Sequence, residues 1–253
     1  MPIAGSLVTV PCRSDNYAFL FRAGDRVVCV DVPDAGPIRQ ALAERGWTLT
    51  DILLTHHHDD HIAGVGELVE THGAKVWGAA ADAARLPPLD HEVAPGDEIA
   101  IGPETACVWD VSGHTIGHVA YVFDDVAFTG DSLMAAGCGR LFEGDAARMH
   151  ASLSQFAELP AETLIASGHE YTAANLAFAL SLEPDNPALK SRMAETETAR
   201  DRGEATVPSA LGLERNTNPY LRVGDVAMKD ATGTTGQSDV ATFAAARHAK
   251  DAF

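Results

Sequence analysis

The run Thr55-His56-His57-His58-Asp59-Asp60-His61 follows directly on a short apolar strand expected over residues 52–54, and it constrains the fold more than any other feature of the chain. Three consecutive histidines, with a fourth three residues later, are improbable as a plain solvated loop when the whole chain has 11. In an extended backbone alternate side chains share a side, so His56 and His58 point together while Asp60 and His61 follow on the turn. Four donors then face one small volume, which would crowd a single tetrahedral zinc. His57 and Asp59 read as a neighbouring residue and a solvated charge.

Further donors stand after other short apolar blocks, where loop-borne sites gather in layered proteins. His114 lies in Ser112-Gly113-His114-Thr115, Asp131 in Thr129-Gly130-Asp131-Ser132, and His169 in Ser167-Gly168-His169-Glu170. Each follows a glycine, which lets the chain turn sharply and its backbone come close to a site. Alone, His114 or His169 would read as a surface histidine; the repetition reverses that. Sorted by place, His56, His58 and His114 make one site, Asp60, His61 and His169 a second, and Asp131 bridges them. Hydrolytic ion pairs sit about 3.5–4 Å apart. Imidazole and carboxylate without thiolate suit two divalent ions, zinc, iron or manganese, without choosing among them. His118 reads as a neighbour of the site, since seven donors already fill it.

The remaining composition narrows the class. A net charge of −18 opposes a nucleic-acid partner, whose non-specific binding depends on Lys and Arg. No apolar run approaches the roughly 20 residues of a membrane span, and the first ten residues lack a signal-peptide pattern, so the expected location is the cytoplasm, without membrane contact. Cys12, Cys29, Cys107 and Cys138 form no CxxC pair and are expected as free thiols. Cys138, between two glycines, has no base or cation beside it in sequence to make it a nucleophile. A monomer is expected.

Short apolar blocks at 7–10, 17–21 and 27–30 predict strands, followed by a helix over 37–44, the strand at 52–54, a helix over 64–72, a strand at 75–77 and a short helix over 79–85. Residues 98–101, 105–111, 119–123 and 126–129 predict an antiparallel meander, then a helix over 145–158 and a strand at 163–166. Beyond residue 170 the pattern is mostly helical, at 172–182, 187–202 and 238–253, with a polar stretch at 207–230 expected to wrap around the body without a core of its own. Two strand sets, each with helices, predict an α/β sandwich of two sheets with helices outside. The division expected is 1–170 for the metal hydrolase domain and 171–253 for a helical C-terminal domain.

At this point the chain resembles the metallo-β-lactamase-fold hydrolases, and within them the glyoxalase II (hydroxyacylglutathione hydrolase) family. The THxHxDH pattern is shared by the whole superfamily. The narrower markers are Phe128 to Gly144, the run from Gly168 to Leu176, Asn218-Pro219-Tyr220-Leu221-Arg222, and Arg247 with Lys250 near the end. The resemblance implies a four-layer αββα fold with a C-terminal helical extension that binds glutathione, and cytoplasmic hydrolysis of S-(2-hydroxyacyl)glutathione thioesters, chiefly S-D-lactoylglutathione. It also implies that Arg140 and Tyr171 join Arg247 and Lys250 in holding the substrate. Asp59 and Ala63 depart from common family residues at positions that donate nothing, and Phe142 stands where some relatives have a tyrosine. In a helix over 238–253, Arg247 and Lys250 are expected on one face with Phe243 and Ala246 on the other.

Two ions lower the pKa of bound water to about 7 and so provide a nucleophile for a thioester. A thiol leaves readily because its pKa is near 8.5, and no extra general acid is evident in the sequence. Asp60 and Asp131 are therefore read as ligands, Asp131 also orienting the nucleophile. The rival is a glutathione persulfide dioxygenase of the same fold, an iron oxidoreductase. It would need one iron only, whereas every donor for a second ion is retained here. A nuclease fits poorly with −18, and a non-catalytic metal scaffold would predict missing donors.

Overall fold

The computed structural model describes residues 2–253. The apolar blocks pair into two six-stranded sheets. The first runs in sequence order through β1 (Val8–Cys12), β2 (Asn16–Ala23), β3 (Arg26–Val30), β4 (Asp51–Leu53), β5 (Lys75–Ala79) and β6 (His91–Val93). Tight turns make β1 to β3 antiparallel. From β3 onward the pairs are parallel, because crossovers return the chain to the same end, the first two of them through helices. These are α1 (Ala35–Arg45), then α2 (Asp59–Ile62) and α3 (Val65–His72). Asp34 starts α1 by accepting from the Gly36 N–H, and Gly46 stops it at φ 63°, a conformation that favours glycine.

The second sheet opens as the expected meander, β7 (Glu98–Ile101), β8 (Glu104–Asp110), β9 (Val119–Val122) and β10 (Val126–Gly130). A small hairpin, β11 (Leu133–Met134) with β12 (Gly137–Cys138), and the helix α4 (Ala146–Ser154) precede β13 (Leu164–Ser167), which lies parallel to β10. After α5 (Thr172–Leu182) and α6 (Pro187–Asp201) the chain adds β14 (Ser209–Ala210) to the edge of this sheet. It finishes with α7 (Leu211–Thr217), α8 (Val226–Ala231) and α9 (Asp239–Ala252).

Two-residue periodicity sorts the core. Tyr17, Phe19 and Phe21 of β2 face the second sheet, where Phe21 stacks on Phe128 at 5.4 Å. Ala18 and Leu20 face the opposite way, onto Ile38 and Leu42 of α1 and Leu68 of α3. On the far side, Ala120, Val122 and Ile165 meet Met149 and Leu153 of α4 and Phe243 of α9. Each fully buried side chain of this size contributes roughly 1.5–3 kcal/mol. The result is helix, sheet, sheet, helix, as expected, with the chemistry-bearing loops gathered at one end of the sheets.

Three expectations are corrected. The helix over 79–85 is a single 3-10 turn, Ala80–Asp82, because Asp82 turns inward to bind His57 and Arg85. β6 was not anticipated; two of its three residues are exposed, so its apolar signal is weak. The 207–230 stretch is no wrapping: it supplies β14, α7 and α8 and buries Val207, Leu211, Tyr220, Val223 and Met228. Several of its polar residues bond inward instead of facing water. Glu214 accepts from the Ala136 N–H at 2.7 Å, and the Asn218 amide donates to the Met134 and Gly137 carbonyls. Among the described residues, no helix is long and apolar enough to cross a membrane.

Candidate metal centre and substrate cleft

β4 delivers Thr55 and His56, and His58, still extended, immediately precedes α2, whose single turn swings Asp60 and His61 inward. His58 Nδ1 lies 3.1 Å from His56 Nε2 and 2.9 Å from His114 Nε2. Asp60 Oδ2 lies 3.4 Å from His169 Nε2 and 3.9 Å from His61 Nε2. Each trio has donor atoms within 4.8 Å of one another. Asp131 stands between them: Oδ1 is 3.3 Å from His61 Nε2, and Oδ2 is 3.2 Å from His169 Nε2 and 3.5 Å from His114 Nε2. The fold thus brings all seven selected donors to one place.

The arrangement fits cations. Among the described residues, His61 Nε2 and Asp131 Oδ1 are buried without any hydrogen-bond partner, a costly state that a metal ion between such atoms relieves. The opposite ring nitrogens are already engaged: His61 Nδ1 with Asp31 at 2.8 Å, His169 Nδ1 with Asp15 at 2.9 Å, and His114 Nδ1 with the Arg140 carbonyl at 2.8 Å. Such partners fix which nitrogen faces the metal. Asp31 also lies close to His56 and His61, but it meets His61 on the ring's far nitrogen, so it supports the site from behind. Glycines 130 and 168 are required by close approach. Gly130 has φ 48°, and a Cβ on Gly168 would press on His61 and Asp131.

The charges are strongly interdependent. Burial opposes the charged form of His169, yet Asp131 and then Asp60 outweigh it and push the ring up to about 10. Burial also opposes ionised Asp131, but His61 and His169 hold it well below the carboxylate range. His56 is held down chiefly by burial and then by His61. Cations at this place therefore displace protons.

His118, buried and pushed down to about 3 by burial and then His114, accepts from the Asp131 N–H at 3.0 Å and stacks on His56 at 4.6 Å. His57 bonds Asp82 at 3.0 Å, and Asp59 is exposed and paired with Arg13. Cys138 is buried and its thiol is pushed up to about 11 by burial, against Arg247, which leaves it unreactive. Asp15, Asp31 and Asp82 were missed in the sequence. Asp31 carried a usable signal, since it ends an apolar strand as the other donors do.

A cleft of about 530 Å³ opens over the donors, and Arg140, Tyr171, Arg247 and Lys250 all line it. Tyr171 stacks on His169 at 4.6 Å, while Phe142, 62% exposed, stands edge-on to His114 at 5.2 Å. Ser238 caps α9 through the Ala241 N–H. The expected division of α9 faces is corrected. Arg247 is buried with Phe243 and Ala246, because residues four apart share a helical face. Its guanidinium donates to the Cys138 carbonyl at 3.1 Å and to Asp251 at 2.8 Å, and its carbon lies 5.5 Å from the Tyr220 ring centre. Lys250 donates to the Ala174 carbonyl at 2.9 Å, and Arg140 reaches Asp251 at 3.6 Å.

The family model described as metallo-beta-lactamase superfamily matches residues 14–169, and the one described as hydroxyacylglutathione hydrolase C-terminus matches residues 170–253. A hydroxyacylglutathione hydrolase of Cereibacter sphaeroides (strain ATCC 17025) is 56% identical over 257 residues, covering 100% of both chains. Among solved structures, the BLEG-1 B3 metallo-beta-lactamase superposes with TM-score 0.65 at 24% identity, over 85% of this chain and 99% of that one. TTHA1623, solved in a di-iron-bound form, gives TM-score 0.60 at 25% identity, over 84% and 98%.

Proposed function

The chain belongs to the hydroxyacylglutathione hydrolases of the metallo-β-lactamase superfamily, thioester hydrolases of the glyoxalase II type, and from that premise we propose how its residues divide the work. His56, His58 and His114 hold one divalent ion, Asp60, His61 and His169 a second, and Asp131 bridges them. The observation that carries this reading is the position of Asp131, within 3.5 Å of histidines from both trios. Zinc is the first choice of metal; the di-iron relative supports iron as an alternative, and manganese suits the same donors. When bound, such ions supply a hydroxide at neutral pH and a Lewis acid for a carbonyl oxygen.

The chain's own residues place the substrate. Glutathione carries two carboxylates and one ammonium, and an otherwise acidic protein needs a local basic wall to hold it. Arg140 and Lys250 present that wall, Tyr171 flanks it on the His169 side, and Arg247 shapes it from within. Tyr171 keeps its proton, pushed up to about 12 by burial and then Asp15, so its hydroxyl remains a donor. Water adds to the acyl carbon and the C–S bond breaks, releasing glutathione and a 2-hydroxy acid. The thiol needs little protonation to leave.

The division into a metal domain at 1–170 and a glutathione-binding part at 171–253 describes these roles. Both parts build one cleft. The free state of all four cysteines supports a cytoplasmic location, and because one chain supplies every candidate donor we read the protein as a monomer.

The reaction class is tested by comparing thiol release from S-D-lactoylglutathione with oxygen uptake on glutathione persulfide. Thiol release without oxygen uptake is expected; oxygen uptake without thiol release would establish the dioxygenase. The basic wall has its own test. Lys250→Ala is expected to raise KM by the equivalent of about 1.5–3 kcal/mol, the value of a hydrogen bond to a charged group, with metal content unchanged. Burial, and then Arg247, lowers the Lys250 pKa. Its charge is therefore lost as pH rises through a value below the usual lysine range, and the KM of the parent rises there while that of the variant does not. A pH-independent parent KM would remove Lys250 from the substrate contact.

A further inference from the structure

Asp31 follows β3 with φ 55°, a left-handed backbone rarely adopted by residues other than glycine, Asn and Asp. Its side chain is buried and meets three groups. Oδ1 accepts from the Thr55 N–H at 2.9 Å, and Oδ2 accepts from the Thr55 hydroxyl at 2.8 Å and faces His61 Nδ1 at 2.8 Å. The second neighbour of the Thr55 hydroxyl is His56 Nδ1, at 3.0 Å.

The direction of every hydrogen in this chain follows from the carboxylate. A carboxylate only accepts, so the His61 proton sits on Nδ1. A hydroxyl has one proton, which Thr55 gives to Asp31, so Thr55 accepts from His56 and that ring too carries its proton on Nδ1. Both rings then turn a bare Nε2 to the centre. His56 turns it toward His58 at 3.1 Å, and His61 toward Asp131 at 3.3 Å. We propose that Asp31, directly on His61 and through Thr55 on His56, is a positioning residue that sets the tautomer of one histidine in each ion site, so that a single buried carboxylate governs affinity at both. This rests on the two-ion reading above.

The substitution Asp31→Asn preserves size and tolerates positive φ. It cannot satisfy all three contacts at once. An amide nitrogen facing the Thr55 N–H sets donor against donor. Facing the Thr55 hydroxyl and His61, it makes acceptors of both and drives both ring protons to Nε2. Thr55→Val breaks only the branch to His56, and Thr55→Ser keeps both branches.

The test is zinc affinity by chelator competition, together with zinc count and histidine 15N spectra of the zinc-loaded proteins, which report the tautomer of each ring and which rings lose zinc. In Asp31→Asn both ions are expected to bind roughly 10- to 100-fold more weakly. Thr55→Val is expected to weaken only the ion held by His56, and Thr55→Ser neither. The proposal is overturned if Asp31→Asn keeps parental affinity or weakens one ion alone, or if Thr55→Val weakens both ions as Asp31→Asn does. Should Asp31→Asn fail to fold, Thr55→Val against Thr55→Ser decides: a loss confined to the His56 ion in the valine variant supports the relay, and equal affinities overturn it. A parent with one zinc would defeat the two-ion reading, yet its spectra would still judge the relay. Nδ1 protons on His56 and His61 would support it, and an Nε2 proton on either would end it.

Discussion

Asp131→Ala is expected to lose at least one metal ion and nearly all thioesterase activity. Asp131 is the anion shared by His61, His114 and His169, with carboxylate oxygens 3.2–3.5 Å from each. Its place is fixed from several sides. Its N–H donates to His118, its carbonyl lies so close to Gly139 that any Cβ there would collide with it, and the preceding Gly130 adopts φ 48°. Alanine keeps the backbone and removes only the bridge. The loss should exceed the roughly 100- to 1,000-fold that removal of one oxyanion donor costs an enzyme, because nucleophile and electrophile both depend on the metals. Elemental analysis of the purified variant, thiol release from a glutathione thioester and a circular dichroism melt separate loss of the site from loss of the fold. A folded variant with parental metal content and full turnover would remove Asp131 from the bridge. His118→Ala is the companion: both ions are expected to stay, since its ring accepts from backbone and presents no nitrogen to either trio.

The largest expected effect on stability comes from a residue far from the donors in sequence, Glu214. It is fully buried and pairs with Arg192, itself 4% exposed. Its carboxylate also accepts from the Ala136 N–H at 2.7 Å and from the Ser209 hydroxyl at 2.5 Å. One carboxylate thereby ties α6, α7 and the edge strand β14 to the β11–β12 hairpin, and Met134 and Cys138 of that hairpin line the cleft. Glu214→Ala leaves a guanidinium buried without its counter-charge, which costs about 3–5 kcal/mol. For a chain of this size that is a fall in Tm of about 6–20 °C. Replacing the pair together, Arg192→Met with Glu214→Leu, should recover part of the loss but not all, because Ala136 and Ser209 still lack their acceptor. Thermal or urea denaturation measures both. A Tm within about 2 °C of the parent for Glu214→Ala would mean that water reaches Arg192 and that the hub holds little.

Much of the fold and the site is carried by local signals. Runs such as Tyr17 to Phe21 alternate toward two apolar layers, and Gly46 and Gly73 stop their helices because a left-handed backbone suits them. The candidate donors are legible because four crowd the run from His56 to His61 and three more repeat after strand ends behind a glycine, and strand ends share one end of a sheet. The residues that aim those donors are less legible. Asp15, Asp31 and Asp82 are acidic residues among 36, and only the sheet order brings Asp31 against Thr55 and His61. The same holds for Glu214 and Arg192. In sequence the 207–230 stretch is polar, and its polarity reads as exposure until the chain folds back and turns Glu214 and Asn218 onto the β11–β12 hairpin.

Periodicity, caps and motif spacing depend on neighbours a few residues apart, so strand and helix identity and the candidate donor set were legible in the order of residues. Burial of charge depends on what packs from elsewhere. Arg247 shows the difference. Its helix and its nearness to Lys250 follow from spacing of three, but tertiary packing turned it inward onto Cys138, Tyr220 and Asp251 and left Lys250 and Arg140 nearer the open cleft. Hydrogen bonds and ion pairs between distant segments form only when the sheets are closed, and those contacts decide which charge faces the open cleft and which is buried in its wall.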